Sequence, residues 1–502
     1  MYFVLAITPP LRTGIMVSWP APVKPSATRI QDKGMKEFGV KTTPKSNYSR
    51  SAILILEKFE KSLPFYSKIV SYGEMKYLND CIAHIRQSAG AAFDRRTGKN
   101  IQYSMSDIVM APFSMFFMQS PSFLAFQRAL KKRFNNDNTC TLFGMNKIPT
   151  DNHIRTTLDA VDPNFLDDEF FYIIDNLPSY GKTITHQSLG NHTLIAFDGT
   201  EYFTSKNMHC DSCSHRVRSS GETEYFHSFL CTSIVKPGTK SAYCLPPEFI
   251  VPQDGTKKND CEWRAVNRWL ERVGPKCSKY NPIYLGDDLY SKHEICSKIK
   301  NINADFIFTC KDSSHKTLSE FRNGLKLTTY SEIRGTGSQR REYHYSFVTN
   351  LPIRDGEDAI DVNWFELTIS LPHGRQKYHG SFITSITPTL ENIVELGDCA
   401  RARWKIENET FNVLKNNGYH LEHNFGHGKN ALSSVLVTLN LLAFSLHNTT
   451  HEAERLWQEA RSSSGTRNQF FNVLGSLTLF TVFLTWRSLM ITIITGQQPT
   501  PP

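Results

Sequence analysis

Between residues 52 and 135 large apolar residues recur every three to four positions. "LEKFEKSLPFY", "MKYLNDCIAHIRQSA", "SMSDIVMAPFSMFFMQ" and "SFLAFQRALKKRF" all keep this rhythm, which predicts amphipathic helices. "NNDNTC" interrupts it, and "KIPTDNHIRTTLDAV" supplies a proline, a Thr/Asp cap and one more short helix. Residues 48–185 thus read as a helical domain behind a disordered lead-in, residues 1–47, rich in Pro, Ser and Lys. Beyond residue 193 the rhythm changes. "TLIAFDGTEYF" predicts a strand with Asp198 at its end, then a turn and a second strand, and "EYFHSFLCTSIVKP" predicts a third. "KKNDCEWRAVNRWLERV" reads as a helix, "PIYLGDD" as a short buried strand, "LYSKHEICSKIKN" as a helix and "DFIFTCK" as a strand, which together indicate a mixed α/β sheet. Residues 322–388 predict further strands in "LKLTTYSEIR", "REYHYSFVTNLPI" and "WFELTISL", a β insertion within an α/β core made of 186–321 and 389–450. Residues 451–502 form a C-terminal helical segment in this reading.

"RWKIENETFNVLK" predicts one amphipathic helix, with Trp404, Ile406, Phe411 and Leu414 as its large apolar groups. Glu407 lies among them. A carboxylate drawn from water is costly unless a cation or metal holds it. Asp198 and Asp287 each fall at the C-terminal end of a predicted strand, where open α/β sheets place their sites. Three carboxylates meeting there would form a hard-oxygen site suited to Mg²⁺ or Mn²⁺. Two such ions clamp the attacking and leaving oxygens of an in-line phosphoryl displacement. The plainer reading keeps Asp198 as the start of the turn "DGTE" and Asp287 as the cap of the helix in "LYSKHEICSKI".

These stretches resemble a DDE transposase of the bacterial insertion-sequence type, in the IS4-like superfamily. "LIAFDGTEYF" is similar to the first catalytic strand, with Asp198 in the place of the first Asp. "IYLGDDLYSKHEIC" is similar to the second, and Tyr290 in its aromatic place selects Asp287 over Asp288. "RARWKIENETFNVLK" resembles the family's Tyr-x2-Arg-x3-Glu-x6-Lys signature, followed by "GYHLEHNFGHGKNAL". Arg403 and Glu407 keep their spacing, whereas Ala400 stands at the Tyr position and Leu414 at the Lys position, with Lys415 one residue later. The resemblance spans roughly 140 to 450. It implies an RNase H-like sheet flanked by helices, with Asp198, Asp287 and Glu407 as catalytic residues and ligands of two Mg²⁺ or Mn²⁺ ions. It also implies cleavage at element ends followed by strand transfer into target DNA. Arg403, Lys405 and Lys415 become DNA-phosphate contacts. Trp364, in the β insertion, is a candidate for stacking on a flipped base, against the rival reading of a buried core Trp. Double-stranded DNA is the implied partner, a homodimer on DNA the implied assembly, and the bacterial cytoplasm and nucleoid the implied location. A non-catalytic DNA-binding protein, degraded or domesticated, is the alternative.

Composition adds limits. At 502 residues, with net charge +9 and pI near 8.9, the chain suits a polyanionic partner without demanding one. Its densest basic spots are "LKKRF" (130–134) and "SQRRE" (338–342). The 11 cysteines follow no repeating spacing, which argues for a reducing compartment over a secreted disulfide framework. "HCDSCSH" places His209, Cys210, Cys213 and His215 within seven residues. Cys-x2-Cys is half a structural zinc site, and His227 or Cys231 are further candidates for its completion. His420, His423 and His427 in "HLEHNFGH" read as a loop, with His423 a candidate DNA contact. Acidic residues Asp260 and Glu262 suit the macrodipole at a helix start. The apolar run 470–494, interrupted by Arg487, predicts a buried helix pair and no membrane span. No Gly-rich nucleotide loop and no Gly-x-Ser-x-Gly is present, so neither ATP use nor a serine hydrolase is implied.

Overall fold

The computed structural model describes residues 73–123, 138–181, 187–252 and 260–497. The expected lead-in, the first expected helix and the basic run 130–134 lie outside them. The described part opens with helices α1 (Lys76–Gly90), α2 (Met105–Phe117), α3 (Asn138–Phe143), α4 (Asp151–Leu158) and α5 (Asp167–Asp175). Their starts follow the sequence. Ser104 caps α2, accepting from the Asp107 amide, and Thr150 caps α4, accepting from the His153 amide.

The strands follow: β1 (Gln187–Ser188), β2 (His192–Ser205), β3 (Ser214–Val217), β4 (Thr223–Val235), β5 (Tyr243–Cys244) and β6 (Glu248–Ile250). Helices α6 (Glu262–Arg272) and α7 (Gly274–Cys277) lead to β7 (Pro282–Gly286), then α8 (His293–Asn301), β8 (Asp305–Thr309) and α9 (Lys316–Asn323). Strands β9 (Thr328–Arg334), β10 (Arg341–Pro352), β11 (Asp361–Ser370) and β12 (Gln376–Thr384) complete the sheet. Its order is β3-β4-β2-β7-β8-β12-β11-β10-β9, with β5 and β6 also paired to β4. Strand β2 is antiparallel to β4 and parallel to β7, β7 is parallel to β8, and every other pairing is antiparallel. The strands of 322–388 are not a separate layer. They continue the central sheet, because β12 pairs with β8 through Phe382 opposite Thr309 and Thr384 opposite Ile307.

The chain ends in α10 (Ile393–Arg401), α11 (Asn412–Asn416), α12 (Leu432–Ala453), α13 (Arg455–Ser463), α14 (Arg467–Phe480) and α15 (Trp486–Thr495). The early and late helices share one core. Phe117, Phe143, Trp457 and Trp486 stack in mutual edge or tilted contacts. Asn138 donates to the carbonyls of Thr478 (2.8 Å) and Thr481 (2.9 Å) and accepts from the Phe483 amide (2.8 Å). The apolar run 470–494 forms a helix pair, α14 and α15, but not the buried one expected, since Phe480 is 78% and Leu484 65% exposed. Among the described residues α12 alone is long and apolar enough to cross a membrane, and most of it is buried inside the protein.

Two local expectations change. "DGTE" is not a turn: β2 runs unbroken through it, with Asp198 opposite Cys231 and Gly199 opposite Leu230 on the long strand β4. Asp198 is therefore mid-strand rather than at a strand end. The single helix expected over 404–415 is also not uniform. Its backbone tightens to a 3₁₀ turn at Ala402–Trp404, widens to a π segment at Ile406–Phe411, and becomes α-helical again at Asn412. Trp404, expected among its apolar groups, is 55% exposed.

Candidate active site and metal centre

The register between β2 and β7 runs Thr193 to Pro282 through Ala196 to Leu285, a constant offset. Carried two residues on, it sets Asp198 level with Asp287, just past the end of β7. Side chains two residues apart share a face, and neighbouring strands lie about 4.8 Å apart, so the two carboxylates stand side by side on one face. Asp287 does not cap α8, which begins six residues later. It closes a local turn, its Oδ1 accepting from the Leu289 amide at 2.8 Å. The neighbouring Asp288 is committed elsewhere, accepting from the Lys311 amide (2.7 Å) and the Ser314 hydroxyl (2.5 Å). Asp287, by contrast, hydrogen-bonds within its own local turn.

Glu407 arrives from the π segment, which packs on β2 and β4 through buried Ile406, Thr410 and Phe411. Thr410 Oγ1 lies 3.3 Å from Ser233 Oγ of β4. Arg403, one turn earlier, puts Nη1 2.9 Å from Glu407 Oε1 and 3.7 Å from Asp198 Oδ2. One guanidinium thus bridges the strand and helix carboxylates. Leu414 is fully buried, whereas Lys415 lines the cleft shared by Gly199, Glu262 and Glu422. The π segment explains this shift. A π turn carries one extra residue, so the face that an α-helix would return seven residues after Glu407 is reached after eight.

A fourth carboxylate joins them. Glu262, first residue of α6, accepts from the Tyr290 hydroxyl and from the Gly199 amide. The sequence reading assigned it only to the helix macrodipole. Its neighbour Asp260 is a structural residue, paired with Arg268 at 2.8 Å. The missed signal was periodicity: Glu262 lies on the face of α6 that buries Ala265, Val266 and Trp269. Burial pushes the Asp198 carboxyl up to about 7; Arg403 opposes this, and the charges of Glu262, Glu407 and Asp287 add to it. Glu262 is raised too, first by burial and then by Asp287, against the Tyr290 hydrogen bond. The like charges of Glu262, Glu407 and Asp287 thus all act on Asp198, with Arg403 opposing them. The hard carboxylate oxygens fit Mg²⁺ or Mn²⁺.

Other expected residues divide. Lys405 faces away from the acids and donates to the Thr239 carbonyl. His423 is exposed, its ring edge-on to Phe425 at 4.8 Å. Trp364 is 1% exposed on β11, with Arg322 over its ring at 4.3 Å, so it is a core residue and has no face to offer a base.

The Cys-x2-Cys stretch is completed by partners other than His209 and His215. His209 is exposed and stacks on Tyr225 at 4.4 Å, and His215 is exposed on β3. Instead His227 of β4 and His427 of the loop before α12 turn inward, so that Cys210, Cys213, His227 and His427 bring one ligand atom each within 4.8 Å of all the others. Cys231 lies beside Asp198, four residues up β4 from His227, and takes no part. Of the two thiols, Cys210 is the one held down, by the hydrogen bond from Cys213 and then by His227.

A sheet whose central strands β2, β7 and β8 run parallel thus carries Asp198 and leads into Asp287, and a helix bearing Arg403 and Glu407 one turn apart packs against it. Residues 192–446 match the family model described as "Transposase DDE domain", and the chain belongs to that family. No curated protein matches the chain. Among solved structures the chain is similar to a piggyBac transposase in a synaptic complex with hairpin DNA, at 12% identity and a TM-score of 0.36, over 86% of this chain and 83% of that one.

Proposed function

We propose that this transposase cuts DNA at the ends of its own element and joins the freed ends to target DNA, with Asp198, Asp287 and Glu407 holding two Mg²⁺ or Mn²⁺ ions. The observation that carries this reading is the Arg403 bridge between Asp198 and Glu407, in front of an aspartate pair set level by the β2–β7 register. The order β6-β4-β2-β7-β8, with β4 antiparallel and β7 and β8 parallel to β2, supports an RNase H-like core. The bound ions would activate the attacking oxygen and neutralise charge on the leaving one. In the first step a water oxygen bonds to phosphorus and the bond to the 3′ oxygen breaks, releasing a 3′-hydroxyl. In the second, that hydroxyl attacks a target phosphodiester and displaces its 3′ oxygen.

The chain's own groups orient the substrate. Arg403, with its planar donor fork, holds the phosphate next to the scissile one. Lys415 lines the approach, His423 is an exposed candidate contact, and Trp404 offers an open aromatic face near Lys405 and Arg401. The protein works as a homodimer on double-stranded DNA in the bacterial nucleoid. The test is cleavage of end-containing DNA in Mg²⁺ by Asp198→Asn, Asp287→Asn and Glu407→Gln, with end binding measured alongside. Loss of cleavage with binding retained is expected. Normal cleavage by Asp287→Asn overturns the triad, and a wild-type chain that binds ends but never cuts them in Mg²⁺ or Mn²⁺ supports the non-catalytic DNA-binding reading.

A further inference from the structure

We propose that Cys210, Cys213, His227 and His427 form a closed, four-coordinate structural zinc site that staples the segment after the Glu407 helix to the strands flanking Asp198. The spacing of the ligand atoms fits one ion. A tetrahedral Zn²⁺ with ordinary Zn–S and Zn–N bonds needs edges of about 3.8 Å between sulfurs, about 3.5 Å from sulfur to nitrogen and about 3.3 Å between nitrogens. The cluster has 3.7 Å between the two Sγ atoms and 3.4 Å from each Sγ to His227 Nε2. Cys213 Sγ lies 3.3 Å from His427 Nδ1, and the two imidazole nitrogens are 3.0 Å apart.

A chain of ordinary hydrogen bonds would not need all four atoms around one point. His427 enters the cluster through Nδ1, and its other ring nitrogen, Nε2, is buried with no hydrogen-bond partner among the described residues, so the cluster alone holds the ring's polar atoms. Thiolate and imidazole donors select zinc over the hard ions suited to the carboxylates. The Cys-x2-Cys turn is already shaped, with the Cys213 amide on the Cys210 carbonyl (3.1 Å) and the Cys210 amide aimed at Cys213 Sγ (3.4 Å).

The ligands come from three places: the β2–β3 connection, β4, and the loop between α11 and α12. That loop's far end is already fixed, since Asp159 accepts from the amides of Lys429, Asn430 and Leu432 at 3.0–3.1 Å. The metal would fix its near side against the sheet, holding the Glu407 helix in place from its C-terminal end. Such a site is structural, because all four positions are taken by protein.

The experiment is metal analysis of the full chain purified without added zinc, by inductively coupled plasma mass spectrometry. It does not depend on whether the carboxylates cut DNA. About one zinc per chain is expected, lost in Cys213→Ser and His427→Ala and kept in His209→Ala and His215→Ala. Should those two ligand variants fail to fold, wild-type protein stripped of zinc by a chelator and reloaded with Co²⁺ gives the second readout: the visible bands of a tetrahedral thiolate-bearing site. Zinc-free wild type without such bands overturns the proposal, as does full zinc retention in His427→Ala or zinc loss in His209→Ala.

Discussion

The Tyr290 hydroxyl donates to Glu262, tying an acid at the start of α6 to the turn that presents Asp287. Glu262 is thereby held against Gly199, where a Cβ would collide with its carboxylate. Glu262→Gln keeps the hydrogen bond and the shape but removes one of four like charges. In EDTA the variant is expected to melt higher than wild type, since relief of a like-charge contact is worth on the order of 1 kcal/mol. In DNA cleavage it should need several-fold more Mg²⁺ for half-maximal rate. Thermal melts with and without Mg²⁺, and a Mg²⁺ titration of cleavage, check both. An unchanged melt in EDTA would show that Glu262 is already protonated or outside the cluster's field.

Arg403 supplies the opposite sign. Its guanidinium is the cation in contact with both Asp198 and Glu407. Arg403→Ala removes a charge-assisted contact of about 1.5–3 kcal/mol, which corresponds to a roughly 10- to 150-fold loss in cleavage rate. Arg403→Lys should recover only part, because a point charge cannot bridge two carboxylates and a phosphate as a fork does. The same melts supply a control: Arg403→Ala should lower stability more in EDTA than in Mg²⁺, where the ions take over neutralisation. Equal cleavage by wild type and Arg403→Ala would remove Arg403 from the site.

Part of this arrangement follows from the sequence: a carboxylate among apolar residues singles out Glu407, apolar strand runs single out Asp198 and Asp287, and Arg403 stands 2.9 Å from Glu407 and 3.7 Å from Asp198. The rest was hidden for physical reasons. "DGTE" has turn chemistry, yet the cross-strand pairing of β4 overrides local preference and keeps Gly199 extended. The apparent misplacement of Lys415 depends on a π segment, which no apolar periodicity of 3.6 announces. His427 meets Cys213 across 214 residues, a pairing set by tertiary structure that the nearer His209 and His215 do not announce, whereas His227 is already a candidate in the sequence.

Asp167 offers a pH test away from the site. Arg272 pairs with it, but burial dominates, leaving Oδ1 without a partner among the described residues and raising the carboxyl to about 6. A raised folded value means the native state holds its proton more tightly than the unfolded chain. The resulting stability is full below about pH 4 and is lost as pH rises through about 6. Relative to Asp167→Asn, wild type should therefore lose on the order of 2–3 kcal/mol across that window and stay level above it. Urea unfolding of both proteins between pH 4 and 8 measures the difference. A constant gap would show that Arg272 keeps Asp167 ionised throughout.

Trp364 and Trp404 should separate cleanly. Trp364 is buried beneath Arg322, whereas Trp404 stands 55% exposed in a cleft with Lys405, Arg401 and Tyr378. Trp364→Ala empties a packed core position and should cost about 3–5 kcal/mol of stability. Trp364→Phe, which keeps most of the volume, should bind DNA ends as wild type does. Trp404→Ala should leave the urea midpoint nearly unchanged and weaken end binding by roughly 5- to 150-fold, the worth of one aromatic–base stack of about 1–3 kcal/mol. Fluorescence anisotropy with end-containing DNA, set beside urea unfolding, gives both numbers. Wild-type affinity in Trp404→Ala would remove this cleft from the DNA path and leave the approach to Lys415 as the remaining candidate.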